Sequence, residues 1–109
     1  MDNLCTKRNA AADGRKGERK VTIFRYAFKT TDEFELSLPL HAKILAVQAK
    51  GDAPSMWAMV NEAETVNETR HFRVYGTGHP IDVPLSHLDY LGTYQLRSAL
   101  VFHVFEVAR

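Results

Sequence analysis

A chain of 109 residues, 45% hydrophobic and 25% charged, has the make-up of one globular domain, which excludes fibrous, low-complexity and multidomain proteins. The formal charge of +1 hides an uneven distribution: residues 1–20 hold six Lys/Arg against three Asp/Glu, or +3, and residues 21–109 hold eight against ten, or −2. An acidic body is the wrong sign for gripping a phosphate backbone, so nucleic acid is not favoured as a partner.

Residues 1–19 have no apolar period and two glycines among charges, which predicts a flexible basic tail whose removal leaves the fold intact. The remaining residues, 20–109, are predicted to form a single β domain. The one cysteine, Cys5, has no intramolecular partner, which suits a reducing cytoplasm. No apolar run of about 18 residues is present to span a membrane, and no signal-peptide stretch opens the chain, so no membrane partner is expected.

From Val21 onwards, short alternating runs replace the tail. In "TIFRYAFK" the alternation sets Phe24, Tyr26 and Phe28 on one face and Ile23, Arg25 and Lys29 on the other. "EFELSLP" places Phe34, Leu36 and Leu38 inward and ends at Pro39, and "AKILAVQAK" places Leu45, Val47 and Ala49 together. The turn residues Gly51, Asp52 and Pro54 follow. "SMWAMVN" is apolar on both faces, which makes Trp57 an expected core anchor. "NEAETVNETR" reads as a polar loop in preference to a short helix capped by Asn61. "RHFRVYG" turns Phe72 and Val74 inward, "YLGTYQL" is interrupted by Gly92, and "ALVFHVFEV" is apolar on both faces. About seven short strands at even spacing predict an all-β protein, a small antiparallel β-sandwich or barrel. A final strand with two apolar faces demands either a central place in a sheet or a partner subunit, and a homodimer is expected.

The stretch "VYGTGHPIDVP" carries the strongest functional signal. It is neither a Walker loop nor a Rossmann fingerprint, because His79-Pro80 follows the glycines where a helix would have to begin. The readings left are a structural turn, which is preferred, and a ligand-contacting loop. The outward residues His71, Arg73 and Tyr75 lead straight into Gly76, Thr77, Gly78 and His79, and together these seven are the candidate ligand-binding residues, suited to an anion beside a stacked ring. No zinc signature such as HExxH is present; a three-histidine site of His71, His79 and His87 is geometrically possible, but exposed loop histidines are the preferred reading and no metal or other cofactor is assigned. His103 alternates with Val101, Phe105 and Val107 and reads as a hydrogen-bonded core or interface histidine. No nucleophile elbow is present. Nothing in the spacing of Asp82, Asp89 and Glu106 demands an acid–base pair, so no catalytic residue is assigned.

Read together, "AKILAVQ", "MWAMVN", "FRVYGTGHPI", "YLGTYQL" and "LVFHVFE" resemble a family of small uncharacterised proteins encoded by bacteriophages and prophages, over Ile23 to Glu106. The chain departs from that pattern in its long basic tail and in Ser55-Met56, where a cysteine and a leucine are commoner. The resemblance implies a phage accessory protein acting in the host cytoplasm and implies no particular activity. The leading functional expectation is a non-enzymatic binding module acting on a host protein. The alternative is a small-molecule or nucleotide-binding protein, a hydrolase included, that uses the GTGHP surface on a small anionic ligand.

Overall fold

The computed structural model describes residues 20–108, so the flexible tail expected over residues 1–19 lies outside the described part. Seven strands follow: β1 Val21–Ala27, β2 Glu33–Pro39, β3 Lys43–Lys50, β4 Ala53–Asn61, β5 Asn67–Gly76, β6 Leu88–Gln95 and β7 Val101–Val107. A 3₁₀ turn, Leu85–His87, precedes β6. All neighbouring strands are antiparallel and form two open sheets, β1–β4–β3 and β2–β5–β7–β6. The all-β expectation is met, as a two-sheet arrangement and not a closed barrel. Of the stretch expected to be a polar loop, residues 62–66 carry the chain from one sheet to the other, with Asn61 Oδ1 accepting from the Ala63 N–H at 3.0 Å, while Asn67 to Arg70 already form the start of β5.

The core lies between the sheets and follows strand alternation wherever the ladder is regular. Met56, Ala58 and Val60 of β4 face Phe72 and Val74 of β5, Leu38 of β2 and Val104 of β7 across the interior. A row of rings runs through it: Phe72 stacks on Phe34 at 5.0 Å, Phe34 on Phe28 at 4.5 Å, Phe28 meets Tyr94 edge-on at 5.9 Å, and Tyr94 lies 5.7 Å from Phe102. Offset and edge-on pairs of this kind add to the area they bury. The Tyr94 hydroxyl, which would otherwise be stranded, bonds Thr30 Oγ1 at 2.8 Å.

One expectation about faces is corrected by a bulge. Pairing between β3 and β4 shifts between Ile44 and Ala46, so Leu45 is an extra residue left outside and Ile44 joins Val47 and Ala49 on the core side. A second shift between Tyr90 and Gly92 makes Leu91 the extra residue in β6. These bulges fall where the two strands meet. A Cβ on Gly92 would stand 3.0 Å from Val47 Cβ, so the glycine interrupting "YLGTYQL" is what lets β6 close on β3.

Trp57 is also corrected. Alternation puts it on the outer face of β1–β4–β3, opposite Arg25 and Ala46, half-buried, while its neighbours Met56 and Ala58 fill the core. Phe24 shares the core side of β1 with Tyr26 yet is 44% exposed, because β1 is an edge strand. β7 takes the central place between β5 and β6, which satisfies the demand of its two apolar faces within one chain.

One end of the interior is polar. Arg70, on the core side of β5, forms a bidentate pair with Glu106 of β7, Nε to Oε2 at 2.6 Å and an Nη to Oε1 at 2.9 Å. Its other Nη donates to the Ala42 carbonyl at the entrance to β3, so the guanidinium joins the two sheets.

Two substitutions test this packing by urea denaturation followed by circular dichroism. Phe72→Ala is expected to cost about 3–5 kcal/mol and Trp57→Ala only about 1–2 kcal/mol. Gly92→Ala is expected to cost about 1–3 kcal/mol through overpacking against Val47, and an unchanged midpoint for Gly92→Ala would show that β6 does not need the close approach.

Candidate functional site

Strand alternation places His71, Arg73 and Tyr75 on the solvent side of β5, as the sequence predicts. Glu33 and Glu35 of β2 stand opposite Arg73 and His71, and Phe105 and His103 of β7 stand opposite Arg73 and Tyr75. The loop after β5 then folds back over this face. Gly76 to His79 is a β-turn closed by the His79 N–H bonding the Gly76 carbonyl at 3.0 Å, with Gly78 at φ +92°, a value that type II turns reserve for glycine at this position. The His79 ring turns back over the strand end, where a Cβ on Gly76 would lie 2.9 Å from its Cε1 and Nδ1. Both glycines therefore have structural work in the turn.

Asp82 anchors the rest of the loop. It accepts the Tyr75 hydroxyl at 2.9 Å and an Arg73 Nη at 3.2 and 3.3 Å. Arg73 Nε donates to the Tyr75 hydroxyl at 3.0 Å, its other Nη reaches Glu33 at 3.4 Å, and its guanidinium carbon lies 5.9 Å from the Tyr75 ring centre. Burial first, and then the hydrogen bond to Asp82, hold the Tyr75 hydroxyl protonated above its ordinary range. The same hydrogen bond is the main reason the Asp82 carboxyl is held below its own.

A second polar chain crosses the neighbouring strands. His103 Nε2 meets Thr77 Oγ1 at 2.8 Å, His103 Nδ1 meets Thr93 Oγ1 at 2.9 Å, and Thr93 Oγ1 meets the Tyr90 hydroxyl at 2.6 Å. Hydroxyls donate or accept equally well, so this cradle suits the imidazole in either tautomer. Between the two polar chains lies an aromatic row, with Phe105 edge-on to Tyr75 at 5.9 Å and to Tyr90 at 5.5 Å, and Tyr90 is 60% exposed.

Of the seven predicted residues, Arg73 and Tyr75 are joined directly, Thr77 enters through His103, and His79 packs on Gly76. His71 stands apart from them, its Nδ1 3.3 Å from Glu35. It lines an open groove of about 730 Å³ with Glu33, Phe34, Glu35, Phe72, Arg73 and Val107. Asp82, Tyr90, Thr93, His103 and Phe105 were not among the predicted site residues. The period-2 spacing of His103 and Phe105 with Val101 was the one signal that could have assigned them to a shared outer face. Asp89 stands opposite Glu106 across the β6–β7 ladder, but Glu106 is taken up by Arg70 and Asp82 lies on the other, outer face, so the three carboxylates form no single group. Among the described residues no three His, Cys, Asp or Glu side chains are grouped to hold a metal ion.

Residues 19–109 match one family model, described as a Domain of unknown function (DUF7352). No curated protein and no solved structure matches the chain.

The folded Tyr75 value is raised, so the stability it contributes is complete below its ordinary 10.0 and is lost as pH rises through the folded value. Tyr26 and Tyr94, raised by burial, act in the same direction. The folded Asp82 value is lowered, so its contribution is present above 3.8 and fades as pH falls through the folded value. Urea unfolding across the alkaline range is expected to show a shallower decline for Tyr75→Phe than for the unmodified chain; parallel curves would show that Tyr75 takes no part.

Proposed function

The chain belongs to the DUF7352 family, and we propose that it is a non-enzymatic binding module whose contact surface is the outer face of β5, β7 and β6 under the Thr77–His87 loop. The observation that carries this reading is the outer-face pair Phe105 and exposed Tyr90, backed by the Tyr75 ring buried beneath the loop and bordered by Glu33 and Asp82. Protein interfaces are built this way, with aromatic anchors at the centre and a charged rim. Ile81 and Leu85 of the same loop are 42% and 73% exposed. The resemblance to phage and prophage proteins supplies the setting: an accessory protein in the host cytoplasm with a host protein as partner. No helix of the described residues is long and apolar enough to cross a membrane.

Electrostatics weigh against a small anion or nucleotide as the ligand. Arg73 is already engaged by Asp82 and Glu33, and Glu35 adds a third carboxylate nearby, so an anion would have to displace a carboxylate and enter an acidic field. A partner presenting basic and apolar groups fits that field.

Affinity capture from bacterial host lysate, with the unmodified chain and Tyr90→Ala in parallel, tests the proposal. The exposed Tyr90 ring can be removed without unfolding the domain, so loss of one reproducible partner with Tyr90→Ala is the expected result. Equal capture by both, or a melting temperature raised by nucleotides, would overturn it in favour of small-molecule binding.

A further inference from the structure

The two sheets carry opposite charge. The strands β1, β4 and β3 hold three cations, Arg25, Lys43 and Lys50, and no Asp or Glu, whereas β2, β5, β7 and β6 hold five Asp/Glu against Arg70 and Arg73, or −3 with His71 and His103 neutral. Both arginines of the four-stranded sheet are taken up by carboxylates. Arg25, Lys43 and Lys50 are exposed, and their side chains make no ion pair or hydrogen bond among the described residues. These cations frame an apolar strip. Across the outer side of the three-stranded sheet run the rows Ile23–Met59–Lys43 and Arg25–Trp57–Ala46, with Leu45 bulged out beside them. Ile23 is 54% and Leu45 43% exposed, and Met59 and Trp57 are half-buried. An exposed apolar strip with a tryptophan at its centre and charge at its rim has the build of a contact surface.

We infer that this Trp57 face packs, head to tail, on the outer face of the four-stranded sheet of a second copy of the chain. The inference rests on the reading of that outer face as a contact surface and names a partner for it. Glu33, Glu35 and Asp82 stand exposed there, Arg73 is the cation that opposes them, and Phe105 with Tyr90 supplies apolar area. Basic and apolar groups are what such a field takes up, and the Trp57 face presents both on one sheet. Two sheets can then lie face to face at about 10 Å with rings and aliphatic groups between them and unlike charges around them.

Charge selects both the arrangement and the occupant. A symmetric pair through the Trp57 face would set Arg25, Lys43 and Lys50 against their own counterparts, and a symmetric pair through the acidic face would do the same to Glu33, Glu35 and Asp82. Only unlike faces attract. The chain's own leading residues do not compete for the Trp57 face, because residues 1–20 carry +3 and have the wrong sign for it. The net charge of +1 leaves little overall repulsion between copies. A head-to-tail contact leaves one free face of each kind at the two ends, so it adds further copies unless the rotation between neighbours closes a ring.

Light scattering at low ionic strength reads the assembly. The unmodified protein is expected to give a mass that climbs above 12.4 kDa as concentration rises and returns to 12.4 kDa in about 1 M salt, where the screening length falls to about 3 Å. Glu35→Lys spoils the acidic face alone and Lys43→Glu the basic face alone, so each variant by itself should stay at 12.4 kDa. An equimolar mixture brings the intact basic face of the first to the intact acidic face of the second and should reach twice that mass. Trp57 is the one tryptophan of the chain, so its emission is a readout that needs no variant: it should move to shorter wavelength as the unmodified protein is concentrated and move back with salt. That emission decides the matter where a variant fails to fold. A protein that is monomeric at every concentration overturns the inference, as does an assembly that salt leaves intact, that either variant alone retains in full, or that the mixture of folded variants does not restore. A monomer that still captures a host partner through Tyr90 overturns this inference alone, and a chain that assembles while Tyr90→Ala leaves capture unchanged overturns the host-partner reading alone.

Discussion

A backbone N–H or C=O at the margin of a β-sheet has no ladder partner and must be solvated, covered or paired, and a protein of two open sheets has four such margins. Most of what is particular to this fold answers that constraint. At one side of the sandwich β3 and β6 are brought together by paired irregularities: a bulge at Leu45, a bulge at Leu91, and a glycine at 92 where any larger residue would press on Val47. At the other side the core is covered by rings, Phe28 and Phe34 stacked at 4.5 Å where the chain crosses from β1 to β2. β1 has neither device and is guarded by charge, with Lys20 and Arg25 exposed along it.

The interior combines two kinds of bond between sheets. The aromatic row from Phe72 to Phe102 supplies area and shape, and the Arg70–Glu106 pair supplies direction at one end. Such a pair adds little net stability over a hydrophobic replacement, since both charges lose water on folding. Its geometric role is clearer: the guanidinium also binds the Ala42 carbonyl, which ties β5 and β7 to the chain entering β3.

The outer face of the four-stranded sheet is organised by the same economy of polar groups. The charged and hydroxyl side chains in the centre are hydrogen-bonded to one another, and the loop after β5 is held by Asp82 and by Thr77. The aromatic side chains between the two polar chains are thereby kept in place on a rigid sheet, which is the preorganisation the proposed binding role would require. Gly76 and Gly78, the most conspicuous residues of the loop in the sequence, serve the turn that sets this arrangement up.

The sequence by itself determined the elements. Strand alternation is a local property of side-chain direction, so Phe34, Leu36 and Leu38, and likewise Phe72 and Val74, could be assigned to a buried face without knowing what lay opposite. It also placed His71, Arg73 and Tyr75 on one outer face of the strand, for the same reason, though the loop that leaves Tyr75 buried was not legible. Tertiary structure alone decided what depends on neighbours. A bulge is a mismatch between two strands and leaves no mark in either one, which is why Leu45 and Ile44 exchanged sides. Trp57 and Met56 are equally apolar, and only the place of β4 between β1 and β3 decided which of them faces the core. The contacts of Asp82 with Tyr75, and of His103 with Thr77 and Thr93, join residues from different elements, and no spacing along the chain encodes a distance across a sheet.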